Sequence, residues 1–468
     1  MNHLQYTFQD SFEKYGLWWL PNEPNNQIGG RLTYHPTDGI RLELTGSFRD
    51  TPGNERFETD IIQGVTSDGI ECTLCENGAI KEGFSVPGFF YQSFRSRYLF
   101  LGHYFDAVAD LRFEAYEVNY RYLEEWIDES PYRFDWSHND QQQHECRVIW
   151  PVGVLVDAPL PIAGGKLSVV TDYHQDEVTA SSLRIRSDAY LKWELPCIEH
   201  FEQHMRIAFN LQHLVTLLIG QSTYPQRVHG YVKREGGNGA KDWLVAVFYG
   251  LPSTAPLFPK LYQHEMLLPF SLVSEHISTL VDKWLVNAEK LSSVYDLFFS
   301  SLSKSDMYLE NRFLNLMHSL ESYHRAMAGG QYVSSEEYRA YYRGLHDYIK
   351  ASIREENLRT ALGDKLKYGN EYSLRRRLKE IMRNLGDDLG PLVAVQHNDF
   401  IDTVVRVRND LVHQGKTTLM NDQEMFYASQ RLRLLLTIVL LQTLGLDNAV
   451  IGEAIRRNRR LQPWDGKG

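Results

Sequence analysis

Up to about Pro196 the chain alternates apolar and polar positions in short runs: IRLELTG, GIECTLC, SRYLFLG, LRFEAYEVNY, RVIWPVGVLV, KLSVVTDY and SSLRIRS, separated by turn residues. A period of two sends successive side chains to opposite faces, so these runs are strands, and their number predicts an antiparallel β-sandwich or barrel-like domain. A helix is predicted over Cys197 to Gly220, followed by two strands, RVHGYVKR and DWLVAVFYG, that the Glu235-Gly-Gly-Asn-Gly239 segment joins as a hairpin. Those glycines lack the Lys-Ser/Thr ending and the strand-to-helix setting of a nucleotide-binding loop. Three prolines in LPSTAPLFPK, from Leu251, mark a boundary, and everything beyond it reads as helix. The expected fold class is α+β, with a β-rich domain over 1–250, a helical linker region over 251–303 and a helical domain over 304–468. No internal repeat interrupts this layout.

The most informative helical stretch is VVRVRNDLVHQG, where Val404, Val407 and Leu411 form a buried stripe and Gly415 is a C-terminal cap. That places His413 in the last turn. Asn409 and His413, four apart, share a face, whereas Arg408 and His413, five apart, diverge by about 140°. The guanidinium stands on a long stem and the imidazole sits where the helix ends, so both can still reach one phosphate. Metal-free RNA cleavage requires a base for the 2′-hydroxyl proton, a cation for the charged phosphorane and an acid for the leaving 5′-oxygen. Histidine suits either proton transfer, arginine suits the phosphate oxygens, and the carbonyls of a helix C-terminus favour a cationic imidazole, which points to His413 as at least partly the acid.

The spacing alone discriminates poorly. With 33 Arg and 17 His in 468 residues, roughly one Arg-x4-His arises by accident. Arg133 to His138 is such a decoy, and Arg206 to His213 and Arg339 to His346 are looser ones. Arg408 to His413 differs in the amide directly after the arginine, the apolar stripe beneath it and the glycine that ends the turn.

RNDLVH, preceded by DFIDTVVRV and followed by a long aliphatic helix, resembles the Arg-polar-x3-His signature of the HEPN superfamily of helical-bundle nucleases. Together with FLNLMHSLESYHRAM upstream, the β-rich half containing SRYLFLGHYFD and the total length, the chain is similar to the ApeA-like HEPN proteins of bacterial anti-phage defence. The signature covers about the last 165 residues; the N-terminal half is similar in layout and composition. The resemblance implies a C-terminal HEPN-like bundle acting as a metal-independent endoribonuclease, active as a homodimer with a composite site and used for abortive infection. Arg408 and His413 would be catalytic and Asn409 supporting, with no cofactor. RNA would be the substrate and a phage-derived signal the trigger, read by the N-terminal domain. A rival reading is a non-catalytic HEPN-type scaffold that only dimerises or binds nucleotides.

Charge changes the picture only regionally. From Lys304 onward there are 25 Lys and Arg against 21 Asp and Glu, and the first 303 residues hold 24 against 39, so a balance of −15 in the N-terminal part and +4 in the rest makes up the net −11. Arg375-Arg376-Arg377 and Arg456-Arg457 are clusters that either track an RNA backbone or coat a solvated helix face. Glu321, beside the apolar face of Phe313 to Met327, is either an exposed glutamate or a carboxylate that orients His413 or Arg408. The aromatics of Tyr338 to Tyr348 form a stripe expected to face a bundle interior, base stacking being the alternative.

Metal and membrane readings are disfavoured. Cys72 and Cys75 lie three apart on a predicted strand, facing opposite sides, and neither Cys146 nor Cys197 completes a second zinc-type pair. Four cysteines fit a reduced cytoplasm. His200 and His204 lack the glutamate of a zinc-protease motif. The N-terminus shows no export signal, and Leu432 to Leu446 is shorter than a membrane span and contains Arg433, so it is expected to be the central helix of a bundle.

Overall fold

The computed structural model describes residues 2–460 apart from 50–56, 85–87, 89, 128–132, 139–143, 150–152, 180, 237–238, 251–259, 304–306 and 459. It contains two compact units, Met1–Leu285 and Val286–Gly468.

In the first unit, β1 (Phe12–Trp19), β2 (Ile28–His35), β3 (Gly39–Leu44), β4 (Glu58–Thr66), β5 (Glu71–Phe84) and β6 (Phe90–Leu101) are antiparallel and close on themselves in the order β6-β3-β2-β1-β4-β5-β6. The expected barrel-like domain is therefore present. β6 has one edge on β5 along its length, while the other is divided: Gln92–Ser96 pair with β3 and Tyr98–Leu101 with a later strand. Through that division the barrel continues into an antiparallel sheet of β7 (Arg112–Tyr120), β10 (Gly153–Leu160), β11 (Gly165–Val178), β12 (Leu183–His200), β13 (Pro225–Gly236) and β14 (Gly239–Tyr249), ordered β14-β13-β7-β12-β11-β10 from β6. Closing one end of a sheet removes edges that would otherwise pair with other chains. Glycine permits the closest approach inside the barrel: Trp18 is fully buried opposite Gly64, where an added Cβ would fall 2.1 Å from the indole.

The hairpin expected at 235–239 forms, with Gly236 opposite Gly239 and its two loop residues outside the described ones. The helix expected from Cys197 begins later. Glu199 and His200 still pair with Phe113 and Arg112 of β7 after a bulge, so α2 spans Phe201–Ile219 and His200 caps it by accepting from the Glu202 N–H. Between β7 and β10 lie α1 (Leu123–Ile127) and a separate ribbon of β8 (Arg133–His138) and β9 (His144–Ile149). The decoy Arg133 to His138 thus occupies a strand and not a helix.

The proline-rich boundary expected at 251–260 lies almost wholly outside the described residues, and the first unit runs past it. Its later part, with α3 (Phe270–Val273) and α4 (Ile277–Ala288), is stitched to α1 and α2: Trp126 Nε1 donates to the Leu268 carbonyl at 2.7 Å, Trp284 Nε1 to that of Asn210 at 2.8 Å and the Leu267 N–H to that of Ile219 at 2.9 Å.

The second unit is helical: α5 (Ser292–Ser303), α6 (Leu309–Ala328), α7 (Ser335–Ser352), α8 (Glu356–Lys367), α9 (Leu374–Asn384), α10 (Gly386–Val393), α11 (His397–Gln414), α12 (Asp422–Thr443) and α13 (Asn448–Arg457). Residues 434–441 of α12 are buried on every side, which makes it the central helix expected from Leu432 onward; it packs on α6, and α11 packs on α9 and α6. α7 departs from expectation. No side chain of α7 is buried, and Tyr341 and Tyr348 are 53% and 70% exposed, so its aromatics do not face a bundle interior. α7 and α8 instead pack on each other as an arm whose root is tied by the Tyr332 N–H to the Asn370 carbonyl (2.9 Å), the Tyr372 N–H to the Gly330 carbonyl (3.1 Å) and the buried Asn370 amide to the Val333 backbone (3.0 and 2.9 Å).

Candidate active site

α11 carries the motif as the periodicity predicts. Ile401, Val404, Val407 and Leu411 are buried, leaving Arg408 half-buried and Asn409 and His413 exposed. The helix ends where Gly415 turns left-handed (φ 72°), its N–H bonding the Leu411 carbonyl at 3.2 Å. A residue with a Cβ would be strained there. Asp410 accepts from the Thr417 hydroxyl at 3.2 Å, fixing the chain as it leaves the helix, so His413 stands on a held last turn.

Arg408 and Asn409 open into a groove of about 590 Å³ between α11, α6 and the α8–α9 connection, which Glu321, Tyr368, Glu371, Tyr372 and Arg375 also line. Arg408 Nη1 donates to Asn409 Oδ1 at 3.2 Å, and among the described residues no carboxylate pairs with it. Glu321 shares the groove but is held by Arg325 at 3.2 Å, and the same guanidinium reaches Glu371 at 2.7 Å. One cation thus serves both acids, with Arg377 reaching Glu371 at 3.8 Å as a second. On the other side Arg375 and Lys379 both face Asp402, at 3.2 and 3.6 Å. Two cations share one carboxylate there, and with Arg408 added the groove keeps a positive surplus suited to a phosphate. His413 is not part of this lining. The five-residue offset that separates the two side chains on a helix also separates them here, so one chain presents the guanidinium in the groove and the imidazole outside it.

The basic clusters divide residue by residue. Arg375 lines the groove. Arg376 stacks on Tyr372 with its guanidinium 4.0 Å from the ring centre. Arg377, expected from sequence either at an RNA backbone or on a solvated helix face, is 1% exposed and hydrogen-bonds His324 and the Gly329 and Tyr372 carbonyls, so it holds the fold. Arg456 and Arg457 lie exposed in the last turn of α13, outside the groove.

Among the described residues no group of three or more His, Cys, Asp or Glu is placed to hold a metal ion. Cys72 and Cys75 are both buried, and burial pushes the Cys75 thiol up to about 12, which disfavours the thiolate a metal requires. His204 is a core histidine: Trp193 Nε1 donates to its Nδ1 at 3.0 Å and its Nε2 meets the Phe113 carbonyl at 3.1 Å. Also among the described residues, no helix is long and apolar enough to cross a membrane. Nothing local in the sequence marks Tyr368 and Glu371; only the fold brings them into the groove that Arg408 lines.

Residues 13–284, more than half of the 468, match the family model described as ApeA N-terminal domain 1, and residues 314–450 match that described as Apea-like HEPN. Neither the comparison with curated proteins nor that with solved structures gives a match. The first match ends within one residue of the boundary between the two compact units, and the second contains the whole groove and its motif. The chain belongs to the ApeA-like HEPN family of anti-phage proteins.

Proposed function

We propose that the C-terminal unit is a metal-independent endoribonuclease of anti-phage defence that cuts RNA through Arg408 and His413. The observation that carries this reading is the Arg408 guanidinium, which lines a cationic groove, is held by Asn409 and has no carboxylate partner among the described residues. A fork of N–H donors left free in a concave site is matched to phosphate oxygens. In the reaction the 2′-oxygen attacks phosphorus as its proton is removed, Arg408 stabilises the charged phosphorane, and the P–O5′ bond breaks as a proton reaches the departing oxygen. The products are a 2′,3′-cyclic phosphate and a 5′-hydroxyl. His413 serves one or both proton transfers.

Because Arg408 lies in the groove and His413 outside it, the reading also requires a second copy: a two-fold axis that brings two α11 ends together supplies the missing imidazole. The N-terminal barrel unit senses the phage-derived trigger and restrains the nuclease until then, which places toxicity after infection and makes the defence abortive. A cavity of about 1000 Å³ in that unit, between the β2–β3 turn and β4, β5 and β6, supports a ligand-reading role.

The test is RNA cleavage by purified Arg408→Ala and His413→Ala proteins. General acid–base catalysis contributes on the order of 10² to 10⁴-fold, so His413→Ala should lose at least the lower figure while remaining folded. Both variants cutting at the wild-type rate would favour the non-catalytic scaffold.

A further inference from the structure

We infer that Tyr368 is a stacking platform for an unpaired base of the RNA, set beside Arg375 and Arg408, so that the groove selects single-stranded RNA. The inference rests on the ribonuclease reading and adds to it the substrate class and the residue that reads it.

The argument begins with what the ring does not do. Tyr368 lies at the end of α8, where its backbone N–H closes the helix on the Lys365 and Leu366 carbonyls, yet its side chain is 69% exposed. Among the described residues it has no hydrogen bond from the hydroxyl, no aromatic neighbour and no cation over the ring. Nearby Tyr372 shows the contrast. It has Arg376 over its ring at 4.0 Å and Tyr332 against it at a centroid distance of 5.0 Å, so it is already occupied by the protein. Tyr368 is held by its backbone at the tied root of the arm, and with its ring exposed it lines the same groove as Arg408.

The surroundings fit a nucleotide. An exposed aromatic at the rim of a cationic groove is the arrangement that binds single strands, the bases stacking while cations track the backbone. Arg375 and Arg408 supply the cations, and Asp402 compensates only part of that side of the groove. A base within an A-form duplex is already stacked and paired, so only an unpaired one can use the ring. On the opposite wall Glu321 and Glu371 are both ion-paired, Arg325 reaching each and Arg377 lying 3.8 Å from Glu371, which tempers their repulsion of the phosphate.

The experiment measures binding of a fluorescent single-stranded RNA and of a duplex of equal length to the intact His413→Ala protein, with and without Tyr368→Ala or Tyr368→Phe. It also measures kcat and KM of the same Tyr368 variants in the otherwise wild-type chain, together with their sedimentation. We expect Tyr368→Ala to weaken single-strand binding about 10-fold, to raise KM more than it lowers kcat, and to leave duplex binding unchanged, while Tyr368→Phe behaves as wild type. A Tyr368→Ala protein that binds and cuts single strands normally overturns the subsite and leaves the ribonuclease reading intact. One that binds single strands normally but loses self-association and cutting together assigns the ring to an interface between copies and likewise overturns it. Wild-type protein that neither binds nor cuts either RNA overturns both readings.

Discussion

Three consecutive arginines at the start of α9 have three different environments, and the reason lies in helical geometry. Successive residues point about 100° apart, so three of them cannot all face solvent when one lies in the apolar stripe. Leu378, Ile381 and Met382 are buried, and Arg377 falls in register with them. A run of arginines reads as surface, and that hid the stripe in the sequence. Arg377→Ala should therefore act on stability. It strands two backbone carbonyls and His324, at a cost of about 3 kcal/mol, seen as a lower urea midpoint, whereas Arg375→Ala should leave the midpoint unchanged and reduce the salt dependence of RNA binding. Equal midpoints for the two variants would contradict this division. His204 gives a second residue-scale expectation. The Trp193 N–H donating to its Nδ1 requires the neutral ring, and burial pushes its pKa from 6.5 down to about 4. In that window the unfolded chain binds the extra proton, so stability present above pH 6.5 is lost as the pH falls towards 4, by up to roughly 3 kcal/mol. His204→Gln should flatten that part of the curve of unfolding midpoint against pH; an unchanged slope would show that His204 does not set it.

At the scale of elements, periodicity located what is governed by a buried face. The strands of the barrel, the stripe of α11 and the all-round apolar α12 follow from period two, period 3.6 and the absence of any polar face. It misplaced what is governed by pairing partners elsewhere in the chain. Residues 197–200 carry helical spacing but stay extended because Phe113 and Arg112 hold two of them in the sheet. The aromatic stripe of α7 has the pattern of a core helix, yet α7 leaves the bundle as an arm with α8, and sequence spacing does not say whether a neighbour covers an apolar face. Barrel closure was legible only as a class. Its tightest contact is tested by Gly64→Ala, where the new Cβ must displace the fully buried Trp18. Overpacking of this kind costs about 1–3 kcal/mol, so the unfolding midpoint of the intact chain, followed by tryptophan fluorescence, should fall. An unchanged midpoint would mean that the barrel relaxes around the methyl group.

For the whole molecule, the α+β order was readable, but the end of the first unit was not. The prolines from Leu251 suggested a boundary there, while Trp126 and Trp284 anchor the segment up to Leu285 by hydrogen bonds that no local signal announces. The motif was readable for the same reason that it is incomplete: five residues on one helix specify Arg408 and His413 and also keep them apart. If each site takes Arg408 from one copy and His413 from the other, mixing the inactive Arg408→Ala and His413→Ala chains should restore activity, because a mixed dimer holds one complete site. No recovery in that mixture, or a fully active wild-type monomer by light scattering, would contradict the two-copy site. The account's central claim, that Arg408 and His413 cut RNA without a metal ion, is tested most directly by incubating the intact protein with total RNA in excess EDTA and sequencing the new 5′ ends. New 5′-hydroxyl ends with wild type, absent with Arg408→Ala and with His413→Ala, are the predicted result; no new ends until a divalent metal is restored, or the same ends from both variants, would contradict it.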